Sequence, residues 1–420
     1  MIITPSVKSI NINNLDINVI QKPGFNEVCM MLLVKCGSIN SDLQLHTGSK
    51  VQIVPKGIAH FLEHIMFYKK DGEDILNQFA STGASINAFT TFDITSYTVS
   101  CTGEIPRNLK KLLEFVNNLS FSKKIIDKER KVIEQEIRMA TDNARNNGFF
   151  NLLKQFYGER HSLGTPVLGT ISSIAQINET NLELFYKAYY RTENMKLIVI
   201  GDIEPEVIFN VVQNVNINHN KKSVTIKEIV NKTTMESPFL EIKMPISQPQ
   251  LFWGYRDSTE SLTEGKLLKH DYLTKIGLEL ISGKSSLLYQ NLYNEKLIGK
   301  DFFWSYEATP SYAYSALGGI SQRPDLIINE WDKTVQKIKE YELDELNFQR
   351  ARYKIIGRVL ELFDSPSKLC RNVAGYLVNG LDFFDIIPIL ETININEVQN
   401  RLLEHLAEEK KCSFIYPIKH

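Results

Sequence analysis

Two histidines and a glutamate stand together in the run His60-Phe61-Leu62-Glu63-His64. The surrounding stretch, Gly57 to Lys69, carries Ile58, Phe61, Leu62, Ile65 and Met66 at intervals of three and four, the spacing of an amphipathic helix. On a helix, positions i and i+4 lie one above the other, so His60 and His64 can each turn a ring nitrogen toward one ion. Glu63, three residues after His60, falls on the same face without having to ligate. That is where a general base must sit to take a proton from metal-bound water. The alternative is two unrelated histidines on a helix, in the core or at the surface.

A zinc-type site takes a third protein ligand and leaves its fourth position to water. The acidic segment Asp127 to Glu136 offers Glu129, Glu134 and Glu136. Glu129 and Glu136 are two helical turns apart and share a face, whereas Glu134 points elsewhere. One of the pair could ligate while the other orients a ligand. Acidic residues on a helix commonly form only a solvated face, and spacing alone does not choose among these three.

The elements that must position these groups are legible in outline. Val7, Ile10, Ile12, Leu15, Ile17 and Val19 alternate with polar residues around Asn13 and Asn14, predicting a hairpin. Glu27 to Lys35 predicts a central strand. A helix is expected over Glu73 to Ser81, followed by strands at Ala84 to Thr90 and Ile94 to Cys101. Gly83 and Ala84 are small, as a strand requires where another backbone comes close. Helices are predicted at Arg107 to Leu119 and at Ser122 to Thr141, the second with an apolar set of Ile125, Ile126, Val132, Ile133, Ile137 and Met139. A strand over Lys196 to Gly201 closes the first half. The polar, basic stretch 214–238, with Asn218, Asn220, Lys221 and Lys222, reads as a connection. Beyond it the order of elements recurs: a strand (Gln250 to Tyr255), a helical tract (Lys269 to Leu297), strands at Phe302 to Tyr306 and Tyr312 to Gly318, long helices, and a last strand from Ser413 to Ile418. The expected division is a catalytic domain over 1–215, a linker over 216–240 and a second domain over 241–420.

The 420 residues exceed one ordinary core and suit two domains of about 200 residues. With 43% hydrophobic and 23% charged residues and a net charge of -1, the composition is globular, and nothing in its charge draws nucleic acid or an anionic membrane. The amino-terminal residues have neither the basic nor the apolar segment of a secretory signal, and the run Val28 to Val34 is far too short to span a bilayer. Five cysteines (Cys29, Cys36, Cys101, Cys370, Cys412), odd in number and without CxxC pairing, predict reduced, buried thiols and a cytoplasmic location.

From Pro55 to Pro205 the chain resembles the pitrilysin–insulysin metallopeptidases, the inverted zincins that include the mitochondrial processing peptidase. The matching tracts are GIAHFLEHIMF, GASINAFTTFDITSY, KERKVIEQEIRMATDN, HSLGTPVLGT and ENMKLIVIGDIEPE, with a weaker match at GKSSLLYQNLYNEKLIG in the second half. The resemblance implies an α+β chain of two tandem homologous domains, each a mixed or antiparallel sheet covered by helices, together forming half of a clamshell. It implies one Zn2+ per chain held by His60, His64 and Glu136, with Glu63 as the base and Glu129 supporting a ligand histidine and assisting water activation. It also implies that the strand containing Gly83, Ala84, Asn87, Ala88, Phe89 and Thr90 is a sheet edge that takes a peptide substrate as an added strand, a mode that is tolerant of sequence. Asn87 can offer the peptide both a donor and an acceptor; Phe89 is either a pocket wall or sheet packing.

One departure stands out. Members that act alone carry an arginine followed seven residues later by a tyrosine in the second half. Alignment on Leu292 and Gly299 puts Tyr293 and Lys300 there instead, and neither can do the same work. Tyr289 and Tyr306 are possible stand-ins. The expected assembly is therefore a heterodimer with a homologous, non-catalytic subunit that supplies the missing pair, a homodimer being the second choice. The expected function is zinc endopeptidase cleavage of extended peptides, of the kind that processes a leader or signalling peptide. The competing function is a non-catalytic scaffold or binding subunit. Relatives of that type generally lose a ligand or the base, whereas all four residues are present here.

Overall fold

The computed structural model describes residues 6–41, 43–47, 50–68, 74–217, 224–228, 235 and 239–416. Asn218, Asn220, Lys221 and Lys222 of the expected linker lie outside the described residues, as do Lys69 and Glu73 at the ends of two predicted helices. In chain order the strands are β1 (Val7–Ile12), β2 (Leu15–Gln21), β3 (Val28–Val34), β4 (Leu43–Thr47), β5 (Lys50–Ile53), β6 (Ser85–Thr90), β7 (Thr95–Cys101), β8 (Met195–Gly201), β9 (Thr225–Glu228), β10 (Phe239–Glu241), β11 (Gln250–Asp257), β12 (Phe303–Ala308), β13 (Ala313–Ile320) and β14 (Lys411–Tyr416). The helices used below are α1 (Ile58–Met66), α2 (Lys123–Asp142), α3 (Ala144–Tyr157), α4 (Glu264–Ser282), α5 (Pro366–Leu377) and α6 (Ile395–His405).

The chain forms two compact units: residues 1–140, 160–232 and 362–378 make the first, and 141–159, 233–361 and 379–420 the second. Each unit thus takes one helix, α5 or α3, from the other end of the sequence.

In the first unit, a six-stranded sheet has the order β1-β2-β8-β3-β7-β6. The β1–β2 hairpin turns at Asn13 and Asn14, whose φ angles of 54° and 63° are those of a tight two-residue hairpin turn. All seven residues of β3 are buried, because β8 and β7 flank it and helices cover both faces. Each buried Leu or Met there contributes about 1.5–3 kcal/mol by leaving water. On one face, Met30, Leu32, Tyr97 and Val99 join the core formed with Phe61, Leu62 and Ile65 of α1. On the other face lies α5, where Ser367 bonds to Ser100 of β7 at 3.0 Å and to Glu27 at 2.6 Å. A separate small sheet has the order β5-β4-β9.

The second unit holds a five-stranded sheet, β10-β14-β11-β13-β12. Its pairing repeats that of the first sheet: β10 runs parallel to β14 as β2 does to β8, and every later pair is antiparallel in both. The recurrence of element order in the sequence is therefore a repeat of topology. Helix α3 lies on this sheet so closely that a Cβ at Gly148 would stand 2.4 Å from the Phe252 ring. Behind the sheet, Asp257 accepts hydrogen bonds from Tyr306 (2.7 Å) and Arg401, with His270 and His405 3.3 Å and 3.2 Å from the same oxygen.

Three local expectations are corrected. Gly83 lies in the turn before β6 with φ +66°, and among the described residues nothing beyond its chain neighbours lies within 4 Å of a Cβ there, so it is required by backbone conformation and not by close approach of another strand of this chain. On α2, Val132 and Met139 are 37% and 72% exposed. The buried stripe is Ile126, Glu129, Ile133 and Ile137, and it contains a carboxylate that apolar counting passes over. The helical tract over Lys269 to Leu297 breaks at Gly283, and the Ser286 hydroxyl caps a new helix at Leu287. All five cysteines are free and buried. Among the described residues no helix is long and apolar enough to cross a membrane.

Candidate metal centre

Helix α1 is buried nearly all round, which fixes its rotation and leaves only His60 and His64 partly open. The two rings stand 4.6 Å apart. Their Nε2 atoms lie 3.8 Å (His60) and 3.7 Å (His64) from Glu136 Oε2 of α2. Among the described residues these three are the group whose donor atoms, one each, all fall within 4.8 Å of one another. Around an ion with bonds of about 2.1 Å, tetrahedral donors stand roughly 3.4 Å apart. The two histidine–glutamate separations need close by only a few tenths of an ångström, and two imidazoles with one carboxylate are a donor set suited to zinc.

Glu129 lies one ring atom away from this cluster. Its Oε2 is 3.1 Å from His64 Nδ1, and its Oε1 accepts a short hydrogen bond from Tyr68. The spacing that left Glu129 and Glu136 equivalent is thus resolved by the packing of α2 against α1: one carboxylate meets the Nε2 side, the other Nδ1. Glu134 is not in the group. Glu63 is buried, and its Oε2 accepts a 2.6 Å hydrogen bond from the Thr90 hydroxyl at the end of β6.

Electrostatics follow from this packing. Burial, aided by the neighbouring His64, drives the pKa of His60 down to about 3 and keeps its imidazole neutral. At His64 burial acts in the same sense but is outweighed by the bond to Glu129 and the nearby carboxylates, so its pKa rises. Burial raises the pKa of Glu63 against the opposing bond from Thr90. For Glu129, the bonds from His64 and Tyr68 outweigh burial and lower it. Three carboxylates around two imidazoles make a site short of positive charge.

Strand β6 is an edge of its sheet. Its side chains alternate: Ile86 and Ala88 pack on the core beneath α1 and Thr90 meets Glu63, while Asn87 is exposed and Phe89 half-buried on the opposite face. Ala84 is buried just before the strand. Asn87 Oδ1 accepts from the Ala88 amide at 2.9 Å. Phe89 lies under the Arg371 guanidinium, 4.5 Å from its ring centre. In the second unit, Tyr306 belongs to the buried Asp257 network, Tyr289 is buried against the half-exposed Tyr293 with ring centres 5.9 Å apart, and Lys300 is exposed.

Two residues here escaped the sequence reading. Tyr68 stands one turn beyond His64, and that spacing was a usable signal. Arg371 comes from the far end of the chain, and nothing local announces it.

Residues 22–171 match the family described as "Insulinase (Peptidase family M16)", and residues 176–354 match "Peptidase M16 inactive domain". The chain is 33% identical over 404 residues to the "uncharacterized zinc protease YmfH" of Bacillus subtilis, covering 95% of this chain and 93% of that one. It is 26% identical to YmxG of the same organism, over 90% of this chain and 93% of the other. Its structure is similar to that of an M16-like peptidase from Alicyclobacillus acidocaldarius, with TM-score 0.92, 29% identity and full coverage of both chains. A Helicobacter pylori protease shares the fold at TM-score 0.82 and 18% identity, over 99% of this chain and 100% of that one.

Proposed function

The chain belongs to the insulinase (M16) peptidase family, and from that premise we propose that it is a zinc-dependent endopeptidase acting on extended peptides. The observation that carries this reading is the convergence of His60, His64 and Glu136 beside a buried Glu63 whose pKa is raised. His60, His64 and Glu136 would hold the metal. When bound, zinc would polarise the scissile carbonyl and acidify water at an open position.

The chain's own groups do the rest. Glu63 takes a proton from the attacking water and returns it to the leaving amine, a task suited to a carboxyl pushed toward neutrality by burial. Glu129 accepts from His64 Nδ1, which leaves the Nε2 lone pair facing Glu136 and the metal. The exposed main chain of β6 aligns the peptide by strand addition, and Thr90 ties Glu63 to that edge.

Replacing Glu63 by Gln tests this. E63Q is expected to retain one zinc per chain and to lose cleavage of unfolded peptides by about 10³-fold or more, as removal of an essential base does. Undiminished cleavage sinks the role given to Glu63.

The assembly is part of the proposal. Tyr293 and Lys300, at the positions of the arginine–tyrosine pair, support a homologous subunit that completes the substrate clamp, with leader or signalling peptides as the substrate type. The native mass of the protein from its own cells, with each chain identified, decides between this heterodimer and a homodimer. The reduced thiols support a cytoplasmic setting.

A further inference from the structure

Helix α5 belongs to the first unit although its residues lie late in the chain. It covers the sheet face opposite α1, bonded through Ser367 to β7. On that face β6 and β7 present Asn87 and Phe89 beside Thr98 and Ser96, an amide, a phenyl ring and two hydroxyls, all without charge. Arg371 of α5 is exposed, and its guanidinium stacks 4.5 Å from the centre of the Phe89 ring. Among the described residues it has no hydrogen-bond or ion-pair partner. On the same helix, Ser367 donates to Glu27 at 2.6 Å. Lys368, one turn earlier on α5, is also exposed.

An arginine stacked on an aromatic ring keeps its planar fork oriented while its N–H edge stays open for a carboxylate. A strand added to β6 would run about 4.8 Å beyond it, and residues directly opposite one another point to the same face. Substrate side chains opposite Ala88 and Thr90 then face the metal. Those opposite Asn87 and Phe89 face Arg371.

We propose that Arg371 is a specificity residue, selecting peptides with an acidic side chain at a position opposite Phe89 or Asn87. This rests on the reading of β6 as the substrate edge.

The test uses the full-length, zinc-loaded chain and C-terminally amidated fluorescent decapeptides of Gln and Ala, so that any carboxylate is a side chain. Glu, Gln or Lys is scanned through each position. In the E63Q background, fluorescence anisotropy is expected to show Glu binding roughly threefold to tenfold tighter than Gln at one register, and Lys weaker. In E63Q/R371A the Glu:Gln ratio should fall to about one, and in E63Q/R371K it should keep its sign. Equal affinities throughout, or a preference that survives R371A, overturns the proposal. A cleavage arm with Glu63 restored separates the two readings. In that arm, run on the native assembly isolated from its own cells, cleavage without acidic preference defeats only the role of Arg371, whereas preferential binding without cleavage upholds it and defeats the peptidase reading.

Discussion

The Thr90 hydroxyl donates a 2.6 Å hydrogen bond to Glu63 Oε2, joining the last residue of an edge strand to the buried carboxylate on the helix that carries His60 and His64. Thr90 Oγ1 also lies 3.5 Å from the Thr95 hydroxyl, which in turn donates to the Cys36 carbonyl at 3.0 Å. The orientation of Glu63 therefore depends on the strand that would carry the peptide.

Thr90→Val keeps the shape of the side chain but removes the donor. Losing a hydrogen bond to a charged group costs about 1.5–3 kcal/mol, so kcat should fall roughly tenfold to a hundredfold with zinc content unchanged. Thr90→Ser should recover most of it. Steady-state kinetics with parallel metal analysis checks this, and a T90V enzyme of full kcat would remove Thr90 from the mechanism.

Glu129 and Tyr68 act behind His64. Glu129→Gln should weaken zinc binding by about 10–100-fold, the usual effect of losing a group that orients a ligand. Tyr68→Phe leaves Glu129 in place and should weaken it only a few-fold. Competition against a chelator of known affinity measures both, and equal losses would show that the tyrosine matters for another reason.

Metal removal should leave both sheets folded, because their cores are apolar and His60, His64 and Glu136 are not part of them. Zinc in thousandfold excess over its dissociation constant should add about 4 kcal/mol to the unit that binds it. Calorimetry with and without chelator is the measurement. In Glu136→Ala the zinc-dependent shift of Tm should shrink sharply, while an unchanged shift would place the ion elsewhere.

The second unit should lose stability in acid. Burial holds His405 at a pKa of about 4, well below an unfolded histidine. Between about pH 4 and 6.5 the unfolded chain therefore binds the extra proton, and stability falls as pH falls through that window, by about 3 kcal/mol in all. Asp257 acts lower. Its bonds from His270 and His405 and the charge of Arg401 outweigh burial and hold its pKa far below the usual range, so its contribution is present above about pH 4 and is lost below. All three tryptophans, Trp253, Trp304 and Trp331, lie in this unit. Urea unfolding followed by tryptophan fluorescence at pH 7 and 5 thus reads it selectively, and His405→Gln should flatten the difference.

Much of this architecture is written locally. Paired asparagines with positive φ close the first hairpin, the unbroken apolar run of β3 marks a strand covered on both faces, and the helical pitch alone sets His60 above His64. These features depend on neighbours within a few residues, so sequence spacing carries them. The α2 stripe was harder to read, because Glu129 occupies a buried position that apolar counting assigns to Val132 or Met139.

The sequence by itself determined the two ring positions, the carboxylate three residues after the first, and most of the order of strands and helices with its recurrence, though not β4, β5, β9 or β10. The tertiary structure decided which carboxylate meets Nε2 and which meets Nδ1, that Thr90 holds Glu63, and that Arg371 lies over Phe89. The physical reason is distance along the chain. Helical pitch leaves Glu129 and Glu136 equivalent, and only the packing of α2 on α1 separates them. Likewise α5 reaches β6 only because it packs on the sheet of the first unit, a choice made by long-range burial that no local spacing encodes.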